Sequence, residues 1–198
     1  MLKLAKIAIT GGVASGKSTV CQFFQEMGAY VVNADAIVHE LLDTTLGKQV
    51  LLLFGQEIVE NGKLNRKKVA GIVFEDPQKL KKLEALLHPA VLAKIEEQYV
   101  EASRTVGHSL FVVEIPLLFE IHGESFYDVV VAILSDEAAA RSRFARGFEE
   151  YDRRMKRQLS PNQKAARAGY KILNYGTLAD LKKEVVKLNN QLKRAKKA

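Results

Sequence analysis

Five short runs along the 198-residue chain are apolar at nearly every position: KIAIT (6–10), AYVVN (29–33), LFVVEI (110–115), DVVVAIL (128–134) and YKILN (170–174). Runs of this length, rich in β-branched residues and apolar on both faces, predict strands of a parallel sheet covered by helices on either side. Between them apolar residues recur every three or four positions, as in PQKLKKLEALL and AVLAKIEEQYVEA. That spacing predicts helices, with Pro77 and Pro89 placed to start two of them. Strands alternating with helices imply a doubly wound α/β core with a five-stranded parallel sheet.

The second and third runs stand about eighty residues apart, too far for a structureless loop in a compact domain. A mostly helical insertion over roughly 56–108 is the expectation. A second insertion, 141–167, carries nine Lys/Arg against three Asp/Glu. The resulting organisation is core at 1–55, helical insertion at 56–108, core again at 109–140, a basic helical lid at 141–167, and a last strand with a C-terminal amphipathic helix at 168–198.

Where the first predicted strand ends, the chain reads GGVASGKS from Gly11 to Ser18, which satisfies GxxxxGK[ST] between a strand and a helix. Such a loop turns its amide N–H groups inward around phosphate oxygens, and side chains would obstruct that approach. Gly11, Gly12, Val13, Ala14, Ser15 and Gly16 form the cradle. Lys17 is placed to set a compact positive charge on the β- and γ-phosphates, the Ser18 hydroxyl to ligate Mg²⁺, and Thr19 to donate near the α-phosphate. The pattern therefore predicts nucleoside triphosphate binding.

Composition narrows the field. With 47% hydrophobic and 27% charged residues the chain is globular in character, and no window reaches the ~18 apolar residues of a membrane span. The opening MLKLAKIAIT runs straight into the glycine loop without a small-residue cleavage site, so it reads as a buried strand. One cysteine, Cys21, permits no intramolecular disulfide and no Cys-rich zinc site, which suits a reducing cytoplasm. The four histidines show no metal-ligand spacing. A net charge of +7 suits polyanionic partners. The basic end KRAKKA has no aromatic interleaving, which argues against nucleic acid. No feature specifies an oligomer.

Neither NKxD nor DxxG occurs, which sets a signalling GTPase aside. The size and the two insertions point to a small-molecule kinase, in which an insertion holds the acceptor and a basic lid excludes water. Asp35, just after the second strand, is either the group that takes the acceptor's proton or an N-cap for the next helix. Glu114, ending the third strand, is either an acid that holds a magnesium-bound water or a plain strand-end residue.

Several segments together resemble the dephospho-CoA kinase family. TGGVASGKSTV is similar to that family's TGGIGSGKSTV, and GAYVVNADAIVHEL to its GxxVIDADxIAR segment. NGKLNRKKVAGIVFED, LEALLHPAV, VVEIPLLFE and NYG follow in the family's order, so the likeness runs from about 7 to 176. The resemblance implies a P-loop NTPase-type sheet sandwiched by helices. It implies ATP-dependent phosphorylation of the ribose 3′-hydroxyl of dephospho-CoA in the last step of coenzyme A synthesis, with ATP and Mg²⁺ required and no nucleic acid or membrane partner. It makes Asp35 the catalytic base beside Lys17 and gives Arg146 the lid contact with the transferring phosphoryl group. Arg66 and His88 fall in acceptor-binding elements, Glu120 is a candidate ligand contact in PLLFE, and Asn174 belongs to the nucleotide-binding NYG element.

The chain departs from the family pattern at three places. Asn33 stands where the first Asp of DAD is usual, Ser142 where an earlier lid arginine is expected, and Gly169 where Asp is usual.

Overall fold

The computed structural model describes residues 4–145 and 147–195. Strands β1 (Lys6–Gly11), β2 (Tyr30–Asn33), β5 (Phe111–Glu114), β6 (Val129–Ser135) and β7 (Tyr170–Asn174) pair in parallel in the order β2-β5-β1-β6-β7. Each expected run is a strand, with ends shifted by no more than one residue. Side chains alternate between faces, as the twofold period of a strand requires. Val131 and Ile133 of β6 join Ile7 and Ile9 in the main core, while Ala132 and Leu134 pack with Ala165 in a separate cluster.

The main core is closed by α1 (Lys17–Glu26) and α9 (Leu178–Ala195). Val20, Cys21, Phe23 and Phe24 of α1 meet Leu181, Val185, Leu188 and Leu192 of α9, residues three and four apart on one helical stripe. α8 (Pro161–Arg167) contributes Ala165 to the other cluster. Its start is fixed by a capping box, in which Ser160 and Gln163 satisfy each other's backbone N–H, with Pro161 at the first helical position. α6 (Glu137–Arg143) and α7 (Phe148–Met155) complete the basic segment as helices. Asp136 caps α6 through Ala139 N at 2.9 Å.

The chain divides into two compact units, one formed by Met1–Asn33 with Glu101–Ala198 and the other by Ala34–Val100. The second holds α2 (Ala34–Asp43), α3 (Gly47–Phe54), a short hairpin of β3 (Val59–Glu60) and β4 (Lys63–Leu64), α4 (Arg66–Glu75) and α5 (Pro77–Arg104) up to Val100. It starts about twenty residues before the expected boundary at 56, because Leu42, Val50 and Phe54 share a core with Ile58, Val69, Val73 and Leu83. Pro77 starts a helix as expected, behind Asp76, which accepts from Gln78 N and Lys79 N. Pro89 does not: it lies inside the 28-residue α5. One missing N–H and one crowded carbonyl are tolerated there by a helix that is long on both sides.

Candidate active site

The phosphate loop begins where β1 ends, at the carboxyl edge of the central strand, the edge at which open α/β sheets bind ligands. Its backbone needs glycine at two points in particular. Gly11 has φ +148°, and a Cβ there would lie 2.5 Å from Ile133 O. Gly16 has φ +98°, and its Cβ would run into Asn174 Nδ2. Ala14 adopts φ +51° without being glycine, which places modest strain in the loop.

Lys17, 8% exposed, is turned back into the loop, its Nζ donating to Gly12 O at 2.7 Å and Gly11 O at 3.3 Å. Asn174, at the end of β7, donates to Ser15 O at 2.9 Å and so ties the loop to the sheet from the far side. Ser18 Oγ donates to Glu114 Oε1 at 2.9 Å, and Asn33 Nδ2 donates to Glu114 Oε2 at 3.0 Å. Three elements, α1, β2 and β5, thereby converge on one buried carboxylate. Asn33, where the family pattern has Asp, supplies a donor instead of a second negative charge.

Ser18 and Glu114 present a hydroxyl and a carboxylate oxygen, the hard donors that magnesium takes. Among the described residues no three His, Cys, Asp or Glu side chains cluster to hold a metal. That donor set fits Mg²⁺, which commonly uses one or two protein oxygens and completes its shell with phosphate and water. Val13 and Thr19 lie in the loop and in the first turn of α1 as the motif requires.

The basic segment belongs to the same unit as the loop, and most of its cations are already matched. Arg141 pairs with Asp152 and lies 5.2 Å from the Phe148 ring centroid and 5.9 Å from that of Tyr151. Arg153 and Arg154 share Glu150, and Arg167 pairs with Glu124 over the Phe119 ring. Arg143 Nε caps Ala139 O on its own helix, and Ser142 Oγ bonds to the same carbonyl. Arg146 lies outside the described residues. At Gly169 the nearest atom to a Cβ would be Val130 O at 3.8 Å, so nothing there demands glycine.

Glu120 faces inward: its Oε1 accepts from Leu159 N at 2.7 Å and lies 3.0 Å from Lys164 Nζ. Burial pushes the Lys164 ammonium below its ordinary pKa, and Glu120 works against that shift. Lys164 carries no motif signal, and sequence reasoning missed it. In the other unit, Asp35 is exposed in the first turn of α2. Arg66, in the first turn of α4, pairs with Asp43 at 3.3 Å, and Asn65 caps that helix through Lys67 N and Lys68 N. His88 is half-buried within α5 rather than at a helix entry.

A parallel sheet with a glycine cradle, an inward lysine and a serine that opens the next helix defines a P-loop nucleotide-binding fold. The family model for dephospho-CoA kinase matches residues 5–180. A dephospho-CoA kinase of Protochlamydia amoebophila is 41% identical over 200 residues, covering 98% of each chain. Among solved structures, TT1252 from Thermus thermophilus superposes with a TM-score of 0.83 at 32% identity, covering 96% of this chain and 98% of that one. A dephospho-CoA kinase from Campylobacter jejuni gives 0.65 at 26% identity with the same coverage. The chain belongs to the dephospho-CoA kinase family.

Proposed function

We propose that the chain transfers the γ-phosphoryl group of Mg-ATP to the ribose 3′-hydroxyl of dephospho-CoA, with the phosphate loop binding ATP and Asp35 taking the acceptor's proton. Family membership makes the enzyme an ATP-dependent kinase of coenzyme A biosynthesis. The observation that carries the site reading is the convergence of Ser18, Asn33 and Glu114 beside a fully formed glycine cradle.

Amides of residues 12–19 and the Lys17 ammonium bind and orient the triphosphate, so that its charge is met by fixed dipoles rather than by mobile water. Ser18, held in place by Glu114, would ligate Mg²⁺, which when bound offsets charge on the β- and γ-phosphates. Both Glu114 oxygens accept hydrogen bonds, so this carboxylate acts as an acceptor that fixes its neighbours. Asp35 stands two residues beyond Asn33 along the chain and is exposed, which leaves its carboxylate open to an acceptor hydroxyl. Arg66 and His88 are assigned to acceptor binding, and Arg146 to the transferring phosphoryl group. The lone cysteine, 3% exposed, suits the cytoplasmic setting that completes the proposal.

The experiment is ADP release with Mg-ATP and, separately, dephospho-CoA, AMP, CMP, adenosine or no acceptor. A signal confined to dephospho-CoA is expected, and the CoA formed carries its new phosphate on the 3′-oxygen by NMR. Lys17→Ala is expected to lose nearly all turnover, and Asp35→Asn to lower kcat far more than ATP affinity. Unchanged turnover in Asp35→Asn removes that residue as the base.

A further inference from the structure

Lys164 has 0% exposure, yet it carries an ammonium. Its Nζ donates to the Pro116 carbonyl and to Gln158 Oε1 at 2.8 Å, and pairs with Glu120 Oε1 at 3.0 Å. A buried ammonium is costly unless its three donors are met and its charge is opposed, and here three acceptors face three N–H bonds, one of them a carboxylate. The acceptors come from two sides of a junction. Pro116 and Glu120 lie in the chain after β5, whereas Gln158 lies between α7 and α8.

The same atoms reach further. Glu120 Oε1 also accepts from Leu159 N, and the Pro116 carbonyl also accepts from Thr10 Oγ1 at 3.1 Å. Thr10 is itself fully buried and immediately precedes Gly11. On the other flank, a Cβ on Gly12 would lie 3.2 Å from Pro161 Cγ and 3.9 Å from Met155 Sδ. Both ends of the stem of the basic segment, Met155 and Pro161, therefore rest on the phosphate loop, and Lys164, just beyond it on α8, shares a carbonyl with the loop's entry.

We propose that Lys164 and Glu120 are positioning residues that clamp the stem of the basic segment, residues 155–161, onto the phosphate loop and thereby set ATP affinity. The proposal rests on the reading of that loop as the ATP site. It gives Glu120 a role that needs no contact with the acceptor. The clamp acts through placement: with the stem released, Gly12 loses its covering and the loop loses a support that acts beside Asn174 in holding its amides in register.

The test combines limited trypsin cleavage of the full chain with steady-state kinetics, on Lys164→Met, Glu120→Gln and a core control, Val185→Ala. Arg153, Arg154, Lys156 and Arg157 are exposed in the segment, so cleavage there, read by mass spectrometry, reports release of the stem. Lys164→Met is expected to speed that cleavage about tenfold and to raise the KM for ATP about tenfold, with kcat changed less than about threefold. Val185→Ala, at a matched or lower melting temperature, is expected to do neither. Should Lys164→Met fail to fold, Glu120→Gln decides, since it keeps an acceptor oxygen and loses only the charge; shifts of about threefold in both readouts are expected. Unchanged cleavage and KM in the deciding variant, a loss confined to kcat, or an equal response in Val185→Ala overturns the clamp. Cleavage needs no turnover, so a wild-type chain that failed to phosphorylate dephospho-CoA would remove the site reading and leave the clamp separately measurable.

Discussion

The side-chain amide of Asn174 occupies the space that a Cβ on Gly16 would need, and from there it donates to Ser15 O at 2.9 Å. Two residues 158 positions apart thus fit each other as seat and occupant. Glycine at 16 meets two demands at once, a positive φ and room for a partner from the far edge strand.

Gly16→Ala is therefore expected to be worse than a simple loop substitution. Holding a non-glycine residue at φ +98° costs roughly 1–3 kcal/mol, and displacing Asn174 loses a hydrogen bond worth about 1 kcal/mol. At about 1.4 kcal/mol per tenfold, ATP binding should weaken by roughly 30-fold to 1,000-fold, measured by calorimetry. Asn174→Ala alone should cost about fivefold. Adding it to Gly16→Ala should recover only a small part of the loss, since the backbone strain remains. Full recovery in the double variant would show that crowding alone mattered.

Glu114 is the second point of convergence, with Ser18 Oγ on one oxygen and Asn33 Nδ2 on the other. With its oxygen kept toward Asn33, Glu114→Gln must turn its NH₂ group toward Ser18 Oγ, which then accepts a hydrogen bond instead of donating one, so the carboxylate that holds the serine lone pairs toward Mg²⁺ is lost. Loss of such a supporting partner commonly costs ~10- to 100-fold, and kcat/KM for Mg-ATP should fall by that amount. The Mg²⁺ concentration for half-maximal activity should rise with it. Asn33→Ala removes one donor only, and its effect should be about tenfold smaller. A Glu114→Gln enzyme with an unaltered Mg²⁺ titration would separate this carboxylate from the metal's ligand.

The strands were readable because burial on both faces leaves uninterrupted apolar runs, and the phosphate loop because its mechanism fixes residue types at fixed spacing. The β3–β4 hairpin escaped notice although a signal was present. Asn61-Gly62 joins the two strands, and both residues have positive φ, as the two-residue hairpin turn requires. Strands of two residues are too short for alternation to show. Pro89 misled because a local rule for helix starts was overridden by a helix that runs on for more than three turns on either side of it. The Lys164 clamp was illegible for another reason. Its partners are 6, 44 and 48 positions away, and no spacing rule links a lysine to a carbonyl that distant. The positive charge of the 141–167 segment was visible in sequence, but the pairing of Arg141 with Asp152 and of Arg153 and Arg154 with Glu150 was not.

Ala14 offers a gain rather than a loss. Its φ of +51° costs an L-residue roughly 1–2 kcal/mol, which glycine would not incur. Glycine in turn loses about 0.4–1 kcal/mol through the greater freedom of the unfolded chain. Ala14→Gly is expected to stabilise the fold by about 0.5 kcal/mol in urea denaturation, with ATP binding retained. A clear destabilisation would mean that the alanine methyl makes a packing contribution larger than the strain it carries.

Cys21 links stability to pH at the alkaline end. The thiol is 3% exposed on α1, and burial pushes its pKa well above the ordinary 9.0, with Glu114 adding to the shift and Lys17 opposing it. Between pH 9.0 and the raised folded value, the unfolded chain releases this proton while the folded chain keeps it. The folded state then binds more protons than the unfolded one, so stability falls as pH rises, by up to about 1.4 kcal/mol per pH unit from this group. Below pH 9.0 both states are protonated and the contribution is level. Cys21→Ala, although less stable at neutral pH because of the cavity, should lack this slope, so the two denaturation free energies should converge between pH 9 and 10.5. The native thiol should also resist a disulfide reagent such as DTNB until the chain is unfolded, because thiolate is the reacting form. Rapid labelling of the folded protein, or parallel pH profiles for the two chains, would show that the thiol is open to water and that the α1–α9 core does not enclose it.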